Sequence, residues 1–162
     1  MTPETDARTA LLRHTVATVA YRGAKALRGA PAEFANFQNA PGTRKPIEIL
    51  AHVGDLYDWA LMLAQGRFDW HESQPLPWNE ETERFFRALA AFDGYLASSL
   101  PLACPAEKLF QGPIADSLTH IGQLAMLRRI SGSAMRGENY FKAEIAVGRV
   151  GADQPTPRKE FS

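Results

Sequence analysis

Apolar positions recur with helical spacing in four stretches of the chain, and each stretch is bounded by residues that start or stop helices. The first runs from about Pro3 to Leu27, where Leu12, Val16, Val19, Gly23 and Ala26 fall on one face. Thr2 is its expected cap, and Pro3 suits the first helical position because the N–H it lacks would be unpaired there anyway. The second runs from Pro46 to Gln65. Ile47, Leu50, Gly54, Tyr57 and Leu61 form a stripe that Val53, Leu56, Ala60 and Leu63 widen almost all round, so this helix is expected at the centre of the core. Asn79 caps the third, which carries Phe85, Leu89, Phe92 and Leu96 on one face and extends to about Leu100. Pro113 opens the fourth, ending near Met135 before Gly137.

Loops rich in proline and glycine separate these stretches, over about 29–45, 66–78 and 101–112. The pattern predicts an all-α protein, a four-helix bundle of the up-and-down type spanning residues 1–141. Residues 142–162 read as a tail, partly extended at the β-prone Glu144-Ile145-Ala146-Val147 and frayed at its polar end. No internal repeat, low-complexity tract or alternating strand series is present.

Composition narrows the classes. A chain of 162 residues fits one domain, and a chain this long buries roughly two thirds of its unfolded surface without staples. Lys plus Arg (18) equals Asp plus Glu (18), which argues against a nucleic-acid partner, since such proteins carry a basic excess. The single cysteine, Cys104, excludes an internal disulfide and a thiolate cluster and reads as a small buried hydrophobe. No apolar run approaches the roughly 18 residues of a membrane span. The polar start Met1-Thr2-Pro3-Glu4 is unlike a secretory leader, so the expected location is cytoplasmic.

Candidate chemistry begins with four histidines. His14 lies about 200° round the first helix from Leu12 and should face solvent. His71, in the loop Trp70-His71-Glu72, reads as a surface residue or the mouth of a site. His52 sits inside the apolar second helix, where an imidazole needs a partner, because an unpaired buried polar group costs about 1–3 kcal/mol. In the fourth helix, Asp116 and His120 are spaced i, i+4. That places them about 40° apart on one face and one turn apart along the axis, a spacing at which two donors reach one ion. Gln123 and Leu127 extend the same face.

The levels also agree. At 1.5 Å per residue, His52 is about 9 Å into its helix from Pro46, and Asp116 and His120 are about 4.5 and 10.5 Å in from Pro113. With the second and fourth helices parallel, the three meet inside the bundle. A structural Asp116–His120 pair, with Asp116 complementing the helix dipole, is the alternative reading. Two histidines and one carboxylate leave coordination positions open. Zinc, nickel, manganese and iron all accept this donor set, so the metal is a divalent ion of open identity. At the open positions such an ion can activate water or hold a thiolate.

The segments Ile49-Leu50-Ala51-His52-Val53 and Asp116-Ser117-Leu118-Thr119-His120-Ile121-Gly122-Gln123, followed by Leu127-Arg128-Arg129-Ile130-Ser131-Gly132, resemble the DinB/YfiT-like superfamily of metalloenzymes. The resemblance covers about residues 5 to 135 and is most specific at His120-Ile121-Gly122-Gln123. It implies a four-helix bundle, a homodimer, a divalent metal on His52, Asp116 and His120, and a small-molecule substrate. Its better-studied members include transferases and isomerases that use a low-molecular-weight thiol as partner. This chain departs from the pattern at Asp116, where histidine is usual; a carboxylate keeps the ligand set but is a harder, more negative donor.

The expected function is therefore that of a metal-dependent transferase or hydrolase acting on a small molecule, with no nucleic-acid or membrane partner. The alternative is a non-catalytic, small-ligand-binding or stress-related dimeric bundle. Asp55 and Trp59, on the His52 side of their helix, are candidates to support the site. Arg128 and Arg129 read as solvated or as anion-binding, and Gly137-Glu138-Asn139-Tyr140-Phe141 is aromatic enough to dock back on the bundle.

Overall fold

A computed structural model describes residues 6–162; the expected cap Thr2 and the first-turn Pro3 lie outside them. The chain forms α1 (Ala7–Leu27), α2 (Pro46–Ala64), α3 (Trp78–Ala97), a short α4 (Ala106–Leu109), a π-helical turn (Phe110–Ile114) and α5 (Ala115–Ile130). Short 3₁₀ turns lie at Ala32–Asn36 and Tyr140–Lys142. Among the described residues there is no strand, only one antiparallel bridge between Glu138 and Glu160.

Local chemistry explains most boundaries. The Asp6 carboxylate accepts the Arg8 N–H at 3.2 Å and caps α1. Pro46 opens α2, and the Glu48 carboxylate reaches back to the Lys45 N–H at 2.7 Å. Gly66 ends α2 with φ +84°, a left-handed conformation that a Cβ would penalise. The expected cap of α3 is corrected: the helix starts one residue earlier, at Trp78 after Pro77, and ends at Ala97.

The fourth predicted helix is corrected at both ends. Helical backbone begins at Ala106, seven residues before Pro113, and passes through the π-helical turn containing that proline. A proline inside an α-helix lacks one donor and crowds the carbonyl four residues back; the wider turn accommodates both defects. The other end comes at Ile130 rather than near Met135, because Gly132 takes φ +85° and the Ser133 N–H returns to the Arg128 carbonyl at 3.0 Å.

The bundle is helical as expected, but it is not of the up-and-down type. Arg84 near the start of α3 meets Ala51 and Asp55 near the start of α2, and the Ala103 N–H beyond α3 donates to the Ala64 carbonyl at the end of α2. Helices α2 and α3 therefore run parallel. Arg13 pairs with Asp93, so α1 and α3 are antiparallel, whereas Arg128 binds the Ala26 and Arg28 carbonyls, so α5 runs parallel to α1. The order is up-down-down-up. Residues 65–77 supply the crossover. At about 3.3 Å per extended residue they can return the full length of α2, about 28 Å at helical rise. α1 and α2 each pack on both α3 and α5, so α1/α2 and α3/α5 occupy the diagonals.

The core sits on the shared axis and includes Val16, Val19, Leu50, Val53, Tyr57, Phe85, Leu89, Phe92 and Leu124, all buried. Burying each of the larger side chains contributes roughly 1.5–3 kcal/mol. The Tyr57 hydroxyl meets the Ser117 hydroxyl at 2.7 Å, and Ser117 donates to the Ile114 carbonyl at 2.7 Å, tying α2 to the start of α5.

The β-prone Glu144–Val147 stretch forms no strand. The tail folds back on α1: the Lys25 ammonium contacts Glu138 at 2.7 Å and Glu160 at 2.8 Å, Tyr21 donates to Glu138, and Arg22 stacks over the Tyr140 ring at 4.0 Å. Phe141, by contrast, is 97% exposed and docks on nothing.

Candidate metal centre

His52, Asp116 and His120 converge. One donor atom from each lies within 4.8 Å of the others. A single carboxylate oxygen, Asp116 Oδ2, is 3.5 Å from His52 Nε2 and 3.4 Å from His120 Nε2. The two imidazole rings are perpendicular, with centroids 4.6 Å apart.

The shared level expected from sequence rested on parallel second and fourth helices, and the chain direction is the opposite. Contacts pair Trp59 with Gly112, Tyr57 with Ser117, and His52 with Asp116 and His120, so α2 and α5 run antiparallel. The donors still share a level because the helical run begins at Ala106, which moves Asp116 and His120 to its middle.

The arrangement suits a divalent ion. Gln123 Oε1 lies 2.7 Å from His120 Nδ1 and accepts its proton, so the lone pair is left on Nε2, the nitrogen facing Asp116. Burial, followed by the neighbouring His120 and Arg44, lowers the His52 pKa from its ordinary 6.5 against the opposing pull of Asp116. His52 is thereby held neutral, the form that binds metal. Asp116 is half exposed, so the donors open toward solvent.

Because the His52 pKa is depressed on folding, the unfolded chain binds its proton more readily. The stability this contributes is present above pH 6.5 and is lost as pH falls through the lower folded value. The effect is reduced because the ring is partly solvated. Urea titrations of metal-free protein from pH 7.5 to 5 should show it, and His52→Gln should flatten the slope.

An aromatic wall flanks the donors. The Trp70 ring stands edge-on to His52 at 5.7 Å and to Trp59 at 5.6 Å. Trp59 therefore supports the centre only through Trp70. Asp55, the other candidate support, does not touch the donors. Its buried carboxylate accepts the Ser73 N–H (2.8 Å) and hydroxyl (2.7 Å) and pairs with Arg84. Arg84 also reaches Asp58 at 3.0 Å, Glu81 at 2.8 Å and the Ala51 carbonyl at 3.1 Å. His71 joins this network, 3.3 Å from Asp55 and 3.4 Å from Asp58. Asp55, Asp58 and His71 lie close enough together to hold an ion, but Arg84 already supplies the positive charge between the two carboxylates. The network pins the loop that carries Trp70.

His14 is exposed. Cys104 is partly buried, and burial pushes its thiol pKa up. Arg128 is neither solvated nor available to an anion: it is buried and donates to the carbonyls of Ala26, Arg28 and Ser133. Arg129 is exposed. Sequence reasoning gave Gln123 no role and missed Arg84 altogether. The signal for each was a three-residue spacing, from His120 in one case and from Glu81 in the other.

Compared with protein-family models, curated proteins and solved structures, the chain has no match. The structure itself defines a helical bundle with a His₂Asp group that could hold a metal ion, and no helix of the described residues is long and apolar enough to cross a membrane.

Proposed function

We propose that the chain is a divalent-metal-dependent enzyme of the DinB/YfiT-like type, a transferase or hydrolase acting on a small molecule. The observation that carries this reading is the convergence of His52, Asp116 and His120 on an opening to solvent, with Gln123 fixing the tautomer of His120. In this reading the three side chains hold the ion, whose Lewis acidity would be available at a solvent-facing position. His52 and His120 bind as neutral imidazoles, Gln123 keeps the His120 ring oriented, and Trp70 shields one side from water. A low-molecular-weight thiol as co-substrate, a homodimeric state and a cytoplasmic location belong to the same proposal.

Elemental analysis of tag-free protein tests it. About one equivalent of a divalent metal is expected in wild type and none in His120→Ala, with Gln123→Leu weakening affinity roughly 10–100-fold. Equal metal in wild type and His120→Ala would overturn the site. A wild type that takes up no zinc, nickel, manganese or iron while folded would favour the second reading, a small-ligand-binding bundle without chemistry. Asp116 supports that alternative, because one of its oxygens already lies within ion-pair distance of both imidazoles.

A further inference from the structure

A groove of about 750 Å³ leads away from His120 along the exposed side of α5. Ile49, Met126, Leu127 and Ile130 line it with apolar side chains. Met126 and Ile130 are 55% and 48% exposed, so the groove presents large hydrophobic side chains to water. The loop before α2 contributes Asn39, Thr43 and Arg44 to the lining.

Arg44 is the informative residue. It is exposed, and among the described residues no carboxylate lies within ion-pair distance of it. The other arginines near the bundle's working parts are committed: Arg84 to carboxylates and Arg128 to backbone carbonyls. An unpaired guanidinium beside an apolar channel offers a planar fork that matches a carboxylate. The channel falls within the roughly 300–1,000 Å³ of small-molecule sites.

We infer that this groove seats a small organic carboxylate with an apolar body, its anionic head on Arg44 and its body along Ile49, Met126 and Ile130. The inference names a substrate class for the metal centre and rests on that reading for its catalytic meaning, although the binding itself does not require the metal.

The test is calorimetric titration of the full chain with octanoate and with its neutral counterpart octanamide, on samples of measured metal content. Wild type should bind octanoate, Arg44→Gln should bind it about five- to tenfold more weakly, and octanamide should bind both proteins alike. Met126→Asp should weaken both ligands. Both positions are on the surface, and circular dichroism checks that each variant is folded. Octanoate affinity that is absent, or unchanged by Arg44→Gln, overturns the inference even where metal is present. A wild-type dimer that Met126→Asp converts to monomer, with no octanoate binding by either, also overturns it and assigns the apolar wall to a second copy of the chain. Arginine-dependent octanoate binding in protein that takes up no metal upholds the groove while removing the metalloenzyme reading.

Discussion

Arg84→Leu is expected to lower stability by about 3 kcal/mol, within the 3–5 kcal/mol typical of breaking a buried ion pair. The guanidinium holds two deeply buried carboxylates, Asp55 and Glu81, whose side chains are 3% and 0% exposed. Burial alone would lower the Arg84 pKa, but Glu81 and Asp55 outweigh it and raise it, so the group is charged at any working pH. Removing it leaves two carboxylates without their cation, and the Ser73 contacts of Asp55 and the Leu76 contact of Glu81 cannot replace it. For a chain of this length the loss corresponds to a melting-temperature drop of roughly 10 °C, readable by calorimetry. Gly54→Ala is a milder probe of the same network: its Cβ would lie 2.7 Å from an Arg84 nitrogen already held by carboxylates and a carbonyl, so the guanidinium would have to move. A melting temperature for Arg84→Leu within 2 °C of wild type would refute this account.

Lys25→Met should cost a similar amount, about 3 kcal/mol, by leaving Glu138 buried with only the Tyr21 hydroxyl. Burial tends to lower the Lys25 pKa, yet Glu138 and Glu160 raise it above its usual value, so the ammonium persists into alkaline solution. Part of the cost has an escape route. The tail can leave α1 and rehydrate Glu138, which caps the penalty at the free energy of tail docking. Hydrogen exchange distinguishes the two outcomes. Faster exchange confined to residues after about 137 indicates release of the tail, whereas faster exchange throughout the core indicates global destabilisation. The double variant Lys25→Met/Glu138→Gln should recover part of the loss, because the stranded charge is gone.

The helices were legible because their physics is local. The stripe of α2 from Ile47 to Tyr57 and the Phe85–Leu96 face of α3 are buried as their spacing requires, Leu61 is partly buried, and Pro46 and Gly66 bracket α2 as starting and stopping residues do. Chain direction was not legible. A 13-residue connection between α2 and α3 can either turn tightly or cross the bundle, and composition does not distinguish the two. Pro113 was misread for a related reason: it is favoured at a first helical turn, so a proline tolerated inside a π turn looks like a beginning. Of the metal donors, spacing located the Asp116/His120 pair within one helix, while the approach of His52 depended on a tertiary arrangement reached by the wrong route. Arg128 illustrates the limit for charged residues. Nothing local marks an arginine as the cap of a different helix, and its role emerges only when α1 and α5 end side by side.

The π turn at Phe110–Ile114 also has a consequence for insertions and deletions. Such a turn holds one residue more than the α repeat, so it works as a phase adjuster between the helical segments on either side. Upstream, Ala106 and Leu109 are locked into the core; downstream, α5 presents Asp116 and His120 to His52. Deleting a single residue between Phe110 and Gly112 would restore the ordinary repeat and leave the two segments in phase, whereas inserting one more there would rotate one segment against the other by about 100°. With the upstream segment held by its burial, α5 would carry both donors off the His52 side. Substitutions in this turn should be tolerated far better than an insertion into it.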